Sequence, residues 1–595
     1  MKKRNTAIRA LSVFLTYAMV CTSVPVMGQE IFESGVNKET EENTSDLKEF
    51  QSSQADEFGT DTESDAELFG SDDAKQEFQD GENSEEGIDG IRYIKGRPLT
   101  KEERKEELEP FKNLKPLDPG IEVESDLTSV YAAYGNRETA FPSSYDARKE
   151  GLVTPVKNQN PFGTCWAFGM AAIMETSLLA QNKGTYDLSE EHLSYFFSNR
   201  QNDPLGNTPD DKNSVLGNYH VIGGNDHLAA IYLSTWSGMT TEADVPFPTD
   251  SSHQQDLTVQ IPESKAYNSA AYLKNASVSK YSEERMKEML LNDHAVSIML
   301  YMKENYVNPD TAAYCYPVGK SNSTVINHIV TVVGWDDTYS KDNFLPVSNV
   351  TSDGAWIIKN SWGEKKGDGG YYYLSYQDPN ISKLVSAEAV TVSDQKYRNN
   401  YFYDGSSALS VIPIQAEQSV AAVYETTAGK GKAEVLGEVN LVTNSDNACY
   451  KIQIYTDLTD PYDPESGVAA YAAPYEFEQS IAGVQTISVP EVVLKQESRY
   501  SVVLTNSGTD KISFGVEAKS SYGNWFTCTA GIEAGQTFYK SASETARWTD
   551  GKTKNWTARI KAHTRTLNQP WVPDTPVFQV KAYNSGYNLI SWEKV

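Results

Sequence analysis

The sequence predicts an α+β unit, a helical half followed by a β half, and behind it an all-β antiparallel sandwich. Three textures carry that expectation. Residues 165–179 place apolar side chains at helical spacing with no proline. Residues 327–374 hold β-rich runs such as Ile329–Val333, Ala355–Ile358 and Tyr371–Leu374. Residues 395–566 alternate in short runs broken by turns, among them Val435–Leu441, Tyr450–Tyr455, Tyr500–Thr505 and Ile512–Ala518. A helical half against a β half leaves a cleft between them, where a site is to be sought.

At 595 residues the chain exceeds the ~250–300 at which single cores stop growing, so several units are expected. Met1-Lys2-Lys3-Arg4 and the mostly apolar Ala10–Gly28 read as a secretory signal (residues 1–28), cut after Gly28. Cys21 follows the bulky Val20, which argues against a lipid anchor there. No later run reaches the ~18 apolar residues of a spanning helix. Between Gln29 and Gly90 the chain carries 21 Asp/Glu against 3 Lys, a net −18 out of −30, and too few apolar groups to offset ordering entropy. That segment is expected to be disordered. The remaining −12 is unremarkable and forms no basic stripe, which disfavours nucleic acid and anionic membranes as partners.

Residues 91–140 recover some pattern. A charged helix capped by Thr100 stops at Pro110, which fits a pro-segment and equally a solvated linker. Ser189-Glu190-Glu191 and Ser282 each start a further helix, and Ala295–Leu300 reads as a strand. After 567 a proline-rich linker leads to two strand-like runs, Phe578–Ala582 and Leu589–Trp592. They resemble the start of a fibronectin type III or immunoglobulin-like sandwich.

Without Cys21, four cysteines remain, Cys165, Cys315, Cys449 and Cys528, too few for a disulfide framework in an exported chain of this size. An exported chain so poor in cysteine points to a Gram-positive-type bacterium, the product secreted or held at the cell wall. Cys449 and Cys528 both fall in the sandwich and could pair, if their Cα atoms come within bridging reach. Cys315, in a Tyr-rich loop with no helix after it, reads as a bystander.

Cys165 differs. Pro161-Phe162-Gly163-Thr164 turn directly into the helix it begins, exposing it at the end where the helix dipole stabilises thiolate over thiol. The run Val156–Phe168 resembles the active-site helix of papain-like cysteine peptidases. Asn327–Trp335 is similar to that family's histidine strand, and Ala355–Gly363 with Gly369-Gly370-Tyr371-Tyr372 to its asparagine block. Phe141–Arg148 resembles the mature N-terminus, while Gly223-Gly224 and Trp236–Pro246 resemble the glycine-rich cleft wall.

Five blocks in order over about 250 residues imply a papain-like, two-lobed peptidase domain at 141–393. The sandwich at 395–566 resembles the lectin-like domain of clostridial-type relatives. The resemblance implies Cys165 as nucleophile, His328 as base and later acid, and Asn360 orienting the imidazole. It also implies Gln159 as an oxyanion donor beside the Cys165 N–H. Trp362 would shield the His–Asn bond, with Trp166 supporting. Gly223, Gly224 and Asn327 are placed at the substrate.

His192, His220, His227, His253, His294 and His563 are read as structural or exposed, with His220, His253 and His563 in polar surroundings. The position three before the nucleophile, commonly a disulfide-bonded cysteine in the family, is Phe162. The wide spacings, 163 residues from Cys165 to His328 and 32 from there to Asn360, suggest insertions near 200–218, 250–280 and 303–323. Asp457, Asp460, Asp463 and Glu465 fit an acidic turn better than a calcium site. No cofactor or metal is expected.

The leading expectation is therefore a secreted, monomeric endopeptidase made as a zymogen and acting on proteins or peptides. The sandwich could take a carbohydrate or cell-surface ligand. A catalytically inert adhesin and a cell-wall peptide amidase are the alternatives.

Overall fold

The computed structural model describes residues 141–201, 210–248, 260–320, 326–408, 410–430, 432–522, 526–543, 545–567 and the backbone of 579–583 and 587–591. The expectations for the signal, the acidic stretch, the pro-segment and His253 lie outside these residues. Among the described residues no helix is long and apolar enough to cross a membrane, which says nothing of membrane-spanning strands.

Four longer helices appear: α1 (Cys165–Ala180), α2 (Glu190–Asn199), α3 (Asp226–Leu233) and α4 (Glu283–Asp293). Each of the last three is capped by a side chain that accepts a first-turn N–H: Ser189 from His192, Asn225 from Leu228 and Ser282 from Arg285. α1 has no such cap and no acid in its first turn. Its residues 165–178 are all buried, although Glu175 is charged. Gly169 lets α1 lie close to the β half. A Cβ there would come within 2.9 Å of both Ser297 and Ile329.

The β half is the strand set Ala271–Ser279, Val296–Leu300, His328–Asp336, Ala355–Lys359, Tyr371–Ser375 and Leu384–Thr391. In the sheet their spatial order is 271–279, 384–391, 296–300, 328–336, 355–359, 371–375. The suggested insertion at 250–280 is therefore corrected in part. Ala271–Ser279 is an internal strand with its apolar residues Ala271, Leu273, Ala276 and Val278 buried.

Beyond 271–279 the same sheet continues into Gly483–Leu494, Ala433–Thr443 and Ile560–Leu567, so it runs without a break into the C-terminal region. The junction pairs Ser277 with Gly483 and Ala276 with Val484. Gly483 holds φ +133°, and any Cβ there would strike the Ala276 carbonyl. A second sheet, including Ser419–Glu425, Ala448–Thr456 and Arg499–Asn506, covers the first. Residues such as Val420, Leu436, Ile452, Val502 and Phe514 fill the layer between, giving a sandwich.

The two regions meet at a second seam. Lys212–Val215, from the suggested 200–218 insertion, pairs antiparallel with Phe526–Thr529 of the sandwich. The runs near the C-terminus form a hairpin, Gln579–Tyr583 with Tyr587–Ser591. The four described cysteines are free.

Candidate active site

Backbone pairing between two distant segments assembles the site. Gln159 N–H donates to Ser361 O (2.8 Å) and Gly363 N–H to Lys157 O (3.1 Å), which lays the 157–159 segment along the asparagine block. Asn360 N–H is in turn tied to Gly370 O at the following double-glycine turn (3.1 Å). His328 begins its strand directly opposite Leu300. Cys165 opens α1, so its sulfur sits at the positive end of that helix's dipole.

His328 Nε2–H donates to Asn360 Oδ1 at 2.8 Å, which fixes the tautomer and leaves Nδ1 as a lone-pair acceptor. That Nδ1 is buried with no hydrogen-bond partner among the described residues. The Trp362 indole stacks on the imidazole, centroids 4.8 Å apart and planes 19° apart, and closes one side of the bond to water. Cys165 Sγ lies against the backbone N–H groups of Trp166 and of Ile329, the residue after the histidine. The cysteine and the histidine strand thus come from opposite halves of the fold.

Gln159 is fully buried. Its Oε1 accepts from Ser361 Oγ (2.6 Å) and its Nε2 donates to Phe162 O (2.8 Å). Those bonds orient the amide and leave one Nε2 hydrogen for a developing oxyanion.

Both side chains are buried: Cys165 is 5% exposed and His328 1%. Burial pushes the Cys165 thiol up to about 12 and the His328 imidazole down to about 4. Burial thus disfavours both the thiolate and the imidazolium, against the helix dipole's preference for thiolate at the start of α1. Hydrating the groove removes the desolvation responsible.

The residues expected at the substrate behave differently from one another. Gly223 holds φ +85°, the left-handed region that favours glycine. Gly224 is glycine because the Trp166 indole lies where its Cβ would be. The Asn327 side chain is spent on Met302, accepting its N–H (2.7 Å) and donating to its O (3.0 Å), at 3% exposure. The expectation of Asn327 as a substrate contact is corrected for its side chain; the amide is committed to the Met302 backbone.

Two of the histidines read as structural or exposed are buried in the structural role. His220 is buried, stacked on Phe162 (4.4 Å, 27°), with Nε2 at 2.7 Å from Glu191 Oε2. His563 is buried beside Glu438 (3.1 Å) and Trp236. Asp457 and Glu465 pair with Lys495 and Lys540, and Asp460 and Asp463 accept backbone N–H groups of their own turn.

Sequence reasoning missed a charged cluster behind the catalytic residues. Glu175 accepts from Thr154 Oγ1 (2.5 Å), Lys157 Nζ (2.7 Å) and Leu188 N–H (2.9 Å). Lys157 also reaches Glu190 (2.9 Å), and Lys359 donates to Thr154 (2.9 Å). Burial drives Glu190 up to about 8 and Lys359 down to about 8. A cavity of about 20 Å³ lies between this cluster and Asn360. The available signal was Glu175, the single charge in an otherwise uncharged helix.

Comparison with known proteins places these features. Residues 141–392 match the papain family cysteine protease and residues 401–564 the lectin like domain. Fruit bromelain of Ananas comosus is 25% identical over 238 residues, 40% of this chain and 56% of the relative. Cysteine proteinase 1 of Entamoeba histolytica is 28% identical over 39% of this chain and 62% of its own length. Pro-cathepsin H of Mus musculus is 26% identical over 39% and 60%. This chain therefore spans less than two thirds of these curated relatives. The solved clostridial cysteine protease Cwp84 after propeptide cleavage superposes with TM-score 0.60 at 23% identity, covering 71% of this chain and 100% of that one. The cysteine protease and lectin-like domains of Cwp84, a surface layer associated protein of Clostridium difficile, give 0.59 at 21% identity, covering 81% and 100%.

Proposed function

Residues 141–392 belong to the papain family of cysteine proteases and residues 401–564 to the lectin-like domains, and from that premise we propose that this chain is a cysteine endopeptidase acting through an acyl-enzyme. The observation that carries the reading is His328, bonded through Nε2 to Asn360 and left with a free Nδ1, on the strand that meets Cys165.

The chemistry follows from those groups. His328 Nδ1 takes the Cys165 proton as Sγ attacks the scissile carbonyl carbon. The oxyanion receives the remaining Gln159 Nε2–H and the Cys165 backbone N–H. The imidazolium then gives its proton to the leaving amine, and a water activated by the neutral imidazole hydrolyses the thioester.

The burial of Cys165 and His328 adds to the reading. A chain made as a zymogen would keep both side chains from water until segments before Phe141 are removed. The basic–apolar N-terminus supports export, and the surface-layer association of Cwp84 supports a place at the cell wall. The lectin-like match supports a carbohydrate ligand for residues 401–564.

The test is mass spectrometry of a denatured proteome incubated with the protein and with Cys165→Ala. New peptide termini that the variant does not produce are expected. Identical peptide sets, or release confined to purified peptidoglycan, would overturn the endopeptidase reading.

A further inference from the structure

The segment that walls the catalytic loop is anchored at its far end by the sandwich. Residues 212–215 pair with Phe526–Thr529, register Asn213 opposite Cys528. The Asn213 side chain reinforces the pairing: Oδ1 accepts from Ser407 N–H (2.8 Å) and Nδ2 donates to Ser407 Oγ (2.9 Å). Next to it, Asp211 accepts from Gly405 N–H (2.8 Å) and Gly531 N–H (2.5 Å). Asp211 is 4% exposed and Asn213 6%, so these bonds are sheltered from water.

Behind the seam, Arg559 and Lys561 are fully buried against Asp404. Arg559 also donates to the carbonyls of Ser406 and Ala408. That fixes the 404–408 loop on which Asn213 and Asp211 are hung.

The near end of the same segment touches the nucleophile's loop. His220 O accepts from Gly163 N–H (2.6 Å), two residues before Cys165, and its ring stacks on Phe162. Gly224 lies under the Trp166 indole, one residue after Cys165. Between the two ends run the Leu216–Asn218 turn and the one-turn helix Tyr219–Ile222.

We propose that the lectin-like domain is a structural half of the catalytic cleft: its strand Phe526–Thr529 and loop 404–408 hold segment 211–224, and Asn213 is a positioning residue for Cys165. The inference rests on the peptidase reading for its kinetic readout, but the positioning itself is read without turnover.

The test uses the full chain and Asn213→Ala. The rate of Cys165 alkylation by iodoacetamide is followed by peptide mass spectrometry from pH 5 to 10, alongside hydrogen exchange of residues 211–224 and kcat and KM on a peptide substrate. The expected result is faster exchange across 211–224, an altered Cys165 alkylation profile and a fall of roughly tenfold in kcat, a modest part of the effect typical for one misplaced oxyanion donor. Ser407→Ala, which removes one side-chain bond, should give a smaller change in the same direction and serves if Asn213→Ala does not fold. Wild-type alkylation profiles with loosening confined to 212–215 and 526–529 would overturn the proposal. If the wild-type chain cleaves no peptide, the endopeptidase reading fails while alkylation and exchange still decide the positioning.

Discussion

Replacing Asn360 by alanine isolates what orientation of the imidazole contributes. In the native site Asn360 Oδ1 accepts two hydrogen bonds, from His328 Nε2 at 2.8 Å and from Ser361 N–H at 2.8 Å. The truncation leaves both donors without that acceptor, and His328 is only 1% exposed under the Trp362 ring. A buried donor stranded in this way costs about 1–3 kcal/mol. Part of the His328 loss falls on the imidazolium state, where the N–H carries more charge and the bond is stronger. At 1.36 kcal/mol per decade, kcat/KM should drop by roughly 10- to 100-fold, chiefly through kcat. The pH profile for activity should shift as well, since the bond to Asn360 favours the protonated ring and opposes the burial that depresses it. Its loss lowers the imidazole further. The assay is kcat and KM on a fluorogenic peptide from pH 4 to 9, with Tm measured in parallel. Unchanged kcat/KM in a folded Asn360→Ala protein would refute the orienting role.

Ser361→Ala removes the hydroxyl that steadies Gln159 Oε1, and a neutral bond of about 1 kcal/mol corresponds to a several-fold loss in kcat. Gln159→Ala, which deletes the donor itself, should cost ~10²–10³ in the same assay. Gly224→Ala forces the Trp166 indole to move, and overpacking of this kind costs about 1–3 kcal/mol, read as a lowered Tm with impaired turnover. Acid should destabilise the fold. His192 and His328 are held near 4 by burial, so the unfolded chain gains protons below about 6.5 that the native chain refuses. Their stability contribution is present above pH 6.5 and is lost as pH falls towards 4; His192→Gln should flatten the decline of Tm across that window.

The candidate site was legible because each member sits in a short local pattern: a turn into a helix for Cys165, a strand start for His328, a glycine-flanked block for Asn360. Strand boundaries followed from β-rich runs for the same reason. What could not be read was decided by pairing across long separations. Nothing local in Lys212–Val215 announces Phe526–Thr529 as its partner, and nothing in Ala271–Ser279 announces Gly483. For His220 and His563 the sequence left structural and exposed roles open, because the partners that decide it, Phe162, Glu191 and Glu438, lie far away in sequence. Asn327 illustrates the remaining limit. An amide beside a catalytic histidine suggests substrate, whereas the Met302 backbone already claims both of its polar atoms.

The ring stack of Phe162 on His220 has a practical side. Thiol enzymes are commonly assayed with added dithiothreitol, which also attacks any cystine in the scaffold. Here aromatic contact and a carboxylate grip the turn ahead of the nucleophile, and the four described thiols are all unpaired. Reductant therefore meets no cystine among the described residues, and the turn ahead of Cys165 does not depend on one.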